Sequence, residues 1–218
     1  MMNKYLLAFA LLMGITAAVQ AEDDLVDTRW YVAPFGSYVN AGGDRIADNA
    51  GYGAGLGFGK MLDKHFNVEL RGFYNGFDVD DGRANSGVPP AFRQDFGQWD
   101  IAGGSADLQY YFWRSKLSPY TVIGLGGITS NVAGNSGVGL IGEAGAGFTY
   151  ELCENLLFRS DVRYRYNNNF NAHLASHTDE YHDMVVNVGF VVPIGPKPQA
   201  PAPEPVADCS TQDADADG

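Results

Sequence analysis

Two cysteines in 218 residues, Cys153 and Cys209, are too few and too far apart to build a disulfide framework, and their pairing stays open. Basic residues are scarce as well: 14 Lys and Arg stand against 26 Asp and Glu, a net charge of −12. With no basic patch to displace phosphate counterions, nucleic acid is excluded as a partner. No apolar run reaches the roughly 20 residues that a helix needs to cross a bilayer. Between Trp30 and Pro193 there is also no stretch of helical periodicity. What the chain does have is 45% hydrophobic and 13% aromatic residues, enough to fill a core and to argue against disorder throughout.

The N-terminus sets the compartment. Lys4 precedes an apolar run from Tyr5 to Val19, and Val19-Gln20-Ala21 ends it with small residues of the kind signal peptidase cuts after. Residues 1–21 are therefore expected to be a signal peptide, with the mature chain starting at Glu22 and carrying no membrane-spanning helix.

In "LFRSDVRYRY", residues 157–166, Phe158, Ser160, Val162, Tyr164 and Tyr166 alternate with Arg159, Asp161, Arg163 and Arg165. This period of two belongs to a β-strand. Eight such runs are predicted, at about 30–38, 51–62, 66–77, 99–112, 119–128, 138–150, 155–166 and 181–193. Many reach ten residues, long for a soluble domain and about what a tilted strand needs to cross a bilayer. Short connections near 63–64, 114–118 and 153–154 alternate with long ones at 39–50, 78–98, 129–137 and 167–180. An all-β, eight-stranded antiparallel up-and-down transmembrane barrel over residues 22–194 produces that sorting, with short periplasmic turns and long external loops.

The alternation puts every charged or amide side chain on one expected face. Phe66, Val68, Leu70, Gly72 and Tyr74 oppose Asn67, Glu69, Arg71, Phe73 and Asn75; Ala102 to Tyr110 oppose Ile101 to Gln109; Met184 to Val192 continue the apolar face. The second strand, "GYGAGLGFGK", sets bare glycines against Tyr52, Ala54, Leu56 and Phe58, as a crowded narrow interior requires. Its glycine spacing is a poor match to a phosphate-binding loop. Lipid outside and a polar lumen inside is the reading adopted, with aromatic girdles at Tyr110–Trp113 and at Tyr164 and Tyr166. A soluble lipocalin-like barrel would use the same alternation with its faces reversed.

The interior charges expected are Glu69, Arg71, Asp107, Glu143, Arg159, Asp161, Arg163 and Arg165. Unpaired, each would cost several kcal/mol to bury, so they must pair or be hydrated. His173, His177 and His182 gather in or beside the last long loop, but a loop fixes no ligand geometry and surface histidines are the plainer reading. Ser105, Ser160 and Ser176 have no nucleophile motif around them, and no catalytic constellation emerges. The chain is read as not an enzyme.

Residues 195–208, "GPKPQAPAPEPVAD", form a proline-rich, semi-rigid linker. In "CSTQDADADG", residues 209–218, Asp213, Asp215, Asp217 and Gly218 match the opening of a calcium loop, and an acidic tail is the alternative.

Signal peptide, eight alternating strands, "APAPEP" and "DADADG" together resemble the outer membrane protein A / OprF-like family. The resemblance implies an outer-membrane barrel of a Gram-negative bacterium joined to a peptidoglycan-binding domain, which would follow Gly218. It implies a structural link from membrane to wall, a partner barrel assembly machinery reading Asn187, Gly189, Val192 and Ile194 in the last strand, and charges across the lumen that include Glu69. The family's basic-then-acidic order in the seventh strand is reversed here at Asp161 and Arg163. A narrow porin and an adhesion or phage-receptor surface on the external loops are the alternative functions.

Overall fold

The computed structural model describes residues 27–42, 50–79, 86–92, 97–132, 135–170 and 180–198. The expected signal peptide, the segment 209–218 with Asp213, Asp215 and Asp217, and Cys209, His173, His177 and Ser176 lie outside them. Eight strands run in order: β1 (Trp30–Ala41), β2 (Ala50–Met61), β3 (Phe66–Asp78), β4 (Gln98–Tyr111), β5 (Leu117–Val132), β6 (Asn135–Cys153), β7 (Leu156–Asn169) and β8 (Glu180–Ile194). Each pairs antiparallel with its sequence neighbour, and β1 pairs with β8 to close the barrel. Closure removes both free edges, so every strand has hydrogen-bonding neighbours on both sides.

The strands are longer than the sequence suggested, reaching 16 residues in β5 and 19 in β6. One expected long loop is in fact tight. Ile128, Ser130 and Val132 keep turning inward while Thr129 and Asn131 turn outward, and β5 and β6 stay paired up to Val132 and Asn135. The stretch 129–137 therefore continues the hairpin almost to its tip. Asn131, Asn135 and Gly137 are strand residues, and loop length does not alternate as strictly as its composition implied.

Side chains obey the period of two throughout. Phe35, Asn75, Asp107 and Arg163 turn inward and are buried, while Leu56, Leu70, Leu125 and Val188 turn outward, with Leu125 75% exposed. Polar residues are not confined to the inner face, because Lys60, Asp100 and His182 sit on the outward parity of β2, β4 and β8. Tyr111, expected in a girdle, points inward against Tyr120 at a centroid distance of 5.0 Å.

Interior room is made by glycine. Gly51, Gly53, Gly55, Gly57 and Gly59 leave the inner face of β2 bare up to Met61, facing residues of β1 and β3 that include Phe35, Tyr31, Phe73 and Glu69. A Cβ on Gly57 would lie 2.6 Å from Glu69 Oε1, and one on Gly55 would lie 2.5 Å from the carbonyl oxygen of Gly72. Gly72, on the outer face of β3, has nothing within 4 Å of that position. A bare strand thus lies between two bulky ones, β1 and β3, as a narrow barrel allows.

The short-turn end is tied by two arginines. Arg29 binds Asp27, Asn155 Oδ1 at 2.6 Å and the carbonyl of Gly195 at 3.1 Å, joining the two ends of the barrel chain to the β6–β7 turn. Arg114 lies 4.1 Å from the Tyr111 ring and donates to the carbonyls of Asp63 and Lys64. Burial opposes ionisation of Asp27, yet its bonds to Arg29 hold the carboxyl below the usual range.

If the inner face of β2 has no spare room, Gly55→Val will destabilise the barrel by about 1 to 3 kcal/mol through overpacking. Gly72→Ala should stay within about 0.5 kcal/mol of the parent. Urea unfolding followed by tryptophan fluorescence in lipid vesicles measures both; equal midpoints for the two variants would show the lumen to be roomy.

Candidate functional site: the barrel interior

β3, β4, β6 and β7 each project inward-facing charge at the same level of the barrel. The register aligns Glu69 with Asp107, Glu143 with Arg165, and Arg71 with Ser105. Gly124 stands opposite both Asp107 and Glu143, and Gly145 stands opposite Arg163, so charged side chains extend over bare backbone toward the axis. Four arginines, Arg71, Arg159, Arg163 and Arg165, there meet four carboxylates, Glu69, Asp107, Glu143 and Asp161. All eight side chains are buried.

Arg163 is the hub. Its Nε donates to Asp161 Oδ1 at 2.8 Å, and its Nη1 donates to Glu143 Oε2 at 3.1 Å and to Asp107 Oδ2. Arg165 Nε reaches Glu143 Oε1 at 2.6 Å. Arg159 grips Glu69 with two bonds, of 2.6 and 3.2 Å, the fork geometry that makes Arg–carboxylate pairs strong. Arg71 lies more loosely among Glu69, Asp107 and Glu143, at 3.8, 3.5 and 3.3 Å. Its Nη2, like that of Arg163, has no hydrogen-bond partner among the described residues.

Neutral groups complete the network. Tyr120 donates to Asp161 Oδ2 at 2.6 Å, Asn187 to Asp161 Oδ1 at 2.7 Å, Ser105 to Asp107 Oδ1 at 2.7 Å and Gln109 to Glu69 Oε2 at 3.3 Å. None of these four stood out in the sequence as part of the charge network. Their inward parity next to charged positions is the signal that finds them. Asn187, read as part of an assembly signal, spends its amide on Asp161, while Val192 and Ile194 face outward.

Above the charges, toward the long-loop end, the interior is apolar. Phe35, Val39, Phe73, Phe77, Trp99, Ile101, Ile128, Ile141, Tyr181 and Val185 pack into one buried cluster. The expected polar lumen is thus joined by an apolar cluster that was not expected: inward parity fixes which way a residue points, and what it needs there depends on its depth. The layers meet through rings, since the guanidinium of Arg71 lies 4.2 Å from the Phe35 centroid and that of Arg165 lies 4.2 Å from Phe73. Such stacking suits a desolvated cation. Still higher, Ser130, Asn167 and Asn169 are buried and their side-chain polar atoms have no hydrogen-bond partner among the described residues.

Ser105 belongs to the network, and Ser160 lies on the outward parity of β7. His182 faces outward and bonds the Tyr164 hydroxyl. Among the described residues no group of three or more His, Cys, Asp or Glu side chains is arranged to hold a metal ion.

The family model for the outer membrane protein beta-barrel domain matches residues 7–192. The chain belongs to that family. Among solved structures, Neisserial surface protein A is similar with a TM-score of 0.53 at 13% identity, covering 75% of this chain and 96% of its own. The Pseudomonas aeruginosa outer membrane protein OprG gives 0.48 at 18% identity, with 78% and 98% covered. The N-terminal barrel domain of OprF from the same organism gives 0.42 at 17%, with 77% and 99% covered. No curated relative matches significantly.

As an outer-membrane barrel, the chain presents its apolar wall to lipid, and the reversed, lipocalin-like arrangement of faces is excluded by the buried charges. The two rims of that wall differ. Trp30, Phe58, Phe66, Phe112 and Trp113 crowd the short-turn rim, whereas Tyr38, Tyr52, Tyr74 and Tyr164 mark the other. Aromatic belts of this kind sit at headgroup level.

Removing the hub takes one charged partner from each of three buried carboxylates, and leaves Asp161 with neutral donors alone at hydrogen-bonding distance. Arg163→Met should therefore cost about 3 to 5 kcal/mol, measured by urea unfolding in vesicles. Val162→Ala, one residue away on the lipid face, should cost far less. Comparable losses would mean that the carboxylates find other partners and that Arg163 is no hub.

Proposed function

We propose that this barrel is a sealed membrane anchor in the outer membrane of a Gram-negative bacterium, with its short turns in the periplasm. The observation that supports this is the interior itself: a layer of four paired arginines and four carboxylates lies beneath a packed apolar cluster, and both fill the space a pore would need. An eight-stranded barrel has room for side chains and little else. The chain leaves β8 at Ile194 at the short-turn end, where Arg29 holds the Gly195 carbonyl and Lys197 lies 3.6 Å from Glu151. A linker starting there would run into the periplasm, the side from which a wall-binding domain could reach peptidoglycan.

A narrow channel is the second reading, favoured by one detail: Arg71 is held at longer distances than its neighbours and keeps unpartnered nitrogens.

In planar bilayers the parent barrel should show small or intermittent conductance. Glu69→Ala with Arg163→Ala should raise it by opening space, and Val162→Ala should not. A large, steady conductance from the parent would refute the seal.

Membrane placement is tested separately. Arg at Leu70, Val186 or Val188, on outward positions of β3 and β8, should each cost about 2 to 4 kcal/mol where the site lies near the midplane. Tolerance at all three positions in a vesicle unfolding series would place water against that wall.

A further inference from the structure

Four of the five Lys and Arg residues in the strands, Arg71, Arg159, Arg163 and Arg165, turn inward; Lys60 alone faces outward. It is the penultimate residue of β2, paired in register with Trp30 on one side and Val68 on the other. Its amine lies 5.3 Å from the Trp30 ring centroid, and among the described residues it has no carboxylate partner. The other cations at this end lie outside the strands. Arg29 pairs with Asp27, Lys197 with Glu151, Arg114 binds the carbonyls of Asp63 and Lys64, and Lys64 and Lys116 sit in turns, Lys116 at 5.5 Å from the Tyr150 ring and away from the groove.

Beside Lys60 the wall is dented. A groove of about 500 Å³ is lined by Trp30, Phe58, Val68, Leu70, Ala106 and Leu108. The small Ala106 stands opposite Leu70, whose other neighbour is Phe58, so the dent crosses β2, β3 and β4. Trp30 and Phe58 stack at 5.0 Å with their planes 13° apart, forming a rigid wall on the Lys60 side. Its volume falls in the range of about 300 to 1,000 Å³ typical of small-molecule sites. Lys60 does not itself line the groove but stands in register between Trp30 and Val68, which do, so the apolar trough has a cation beside one end, the polarity of a phospholipid laid along the barrel.

We propose that the groove binds one anionic phospholipid of the leaflet at the short-turn side, with an acyl chain against Phe58, Leu70 and Ala106 and the phosphate on Lys60. A long Lys stem lying on an aromatic ring carries its charge to headgroup level, and an anionic headgroup supplies the missing counter-charge. The lipid completes the ion pair that the protein leaves open. The inference rests on the barrel's membrane placement and is independent of the sealed lumen.

The full chain, folded in vesicles of equal phosphatidylglycerol and phosphatidylcholine and extracted into mild detergent, is examined by native mass spectrometry. One phosphatidylglycerol per barrel should be retained in preference to phosphatidylcholine. Lys60→Gln should lower that preference about fivefold, the effect of about one cation near a charged surface. Ala106→Phe fills the groove with Lys60 intact and should reduce retention of either lipid, while Lys116→Gln should leave both unchanged. Only species that keep the folded mobility of the parent are counted, and the Lys60 and Ala106 variants report separately. An unchanged preference in Lys60→Gln, or an equal fall in Lys116→Gln, would overturn the proposal and reduce the groove to ordinary annular contact.

Discussion

A charge inside a narrow barrel has nowhere to go except another charge. That constraint organises the middle of this molecule, because Arg163 is surrounded by Asp107, Glu143 and Asp161, and each of those carboxylates in turn engages a second donor. Long guanidinium and carboxylate side chains must cross the axis to meet. Bare backbone beside them makes the room, with Gly57 against Glu69 and Gly124 against Asp107. The glycines and the ion pairs are one device: replacing either removes the reason for the other.

The same device makes the two faces mutually exclusive. Side chains on a strand alternate strictly, so a one-residue slip of β7 against its neighbours would turn Arg159, Asp161, Arg163 and Arg165 out to lipid and Val162 and Tyr164 into the charge layer. A buried ion network is seldom the most stabilising filling for a space, since desolvation offsets much of the attraction. Here its larger effect is on the alternatives. Each charge on the wrong face near mid-membrane costs about 2 to 4 kcal/mol, so four on one strand forbid the slipped barrel outright.

Strand number, topology and facing were legible in the sequence because all three follow from a period of two, and "LFRSDVRYRY" displays it with charge on every second residue. Two things were not. Strand ends were underestimated where the inward residues stop being charged: Ser130 and Val132 carry β5 forward through a stretch whose Gly and Asn content imitates a loop. The apolar cluster around Trp99, Ile101 and Val185 was hidden because its members share parity with the charges, and parity does not encode depth. Tyr120 and Asn187 were missed for a related reason. A neutral hydroxyl or amide joins such a network only when register brings a carboxylate within reach, and register is a pairing between strands that no single strand states.

Depth, then, is the second coordinate of this fold, and it runs on both faces. Inside, charges occupy the middle, aromatic and aliphatic groups the layer above, and unpartnered amides the level nearest the long loops. Outside, Trp and Phe dominate one rim and Tyr the other, and the only strand cation facing lipid, Lys60, stands at the Trp and Phe rim. A tyrosine hydroxyl needs polar neighbours and a lysine needs an anion. An outer wall graded in this way distinguishes its two leaflets before any loop is considered. The wall and the interior thus carry separate gradients on opposite faces of the same strands, one read by lipid and the other by buried charge.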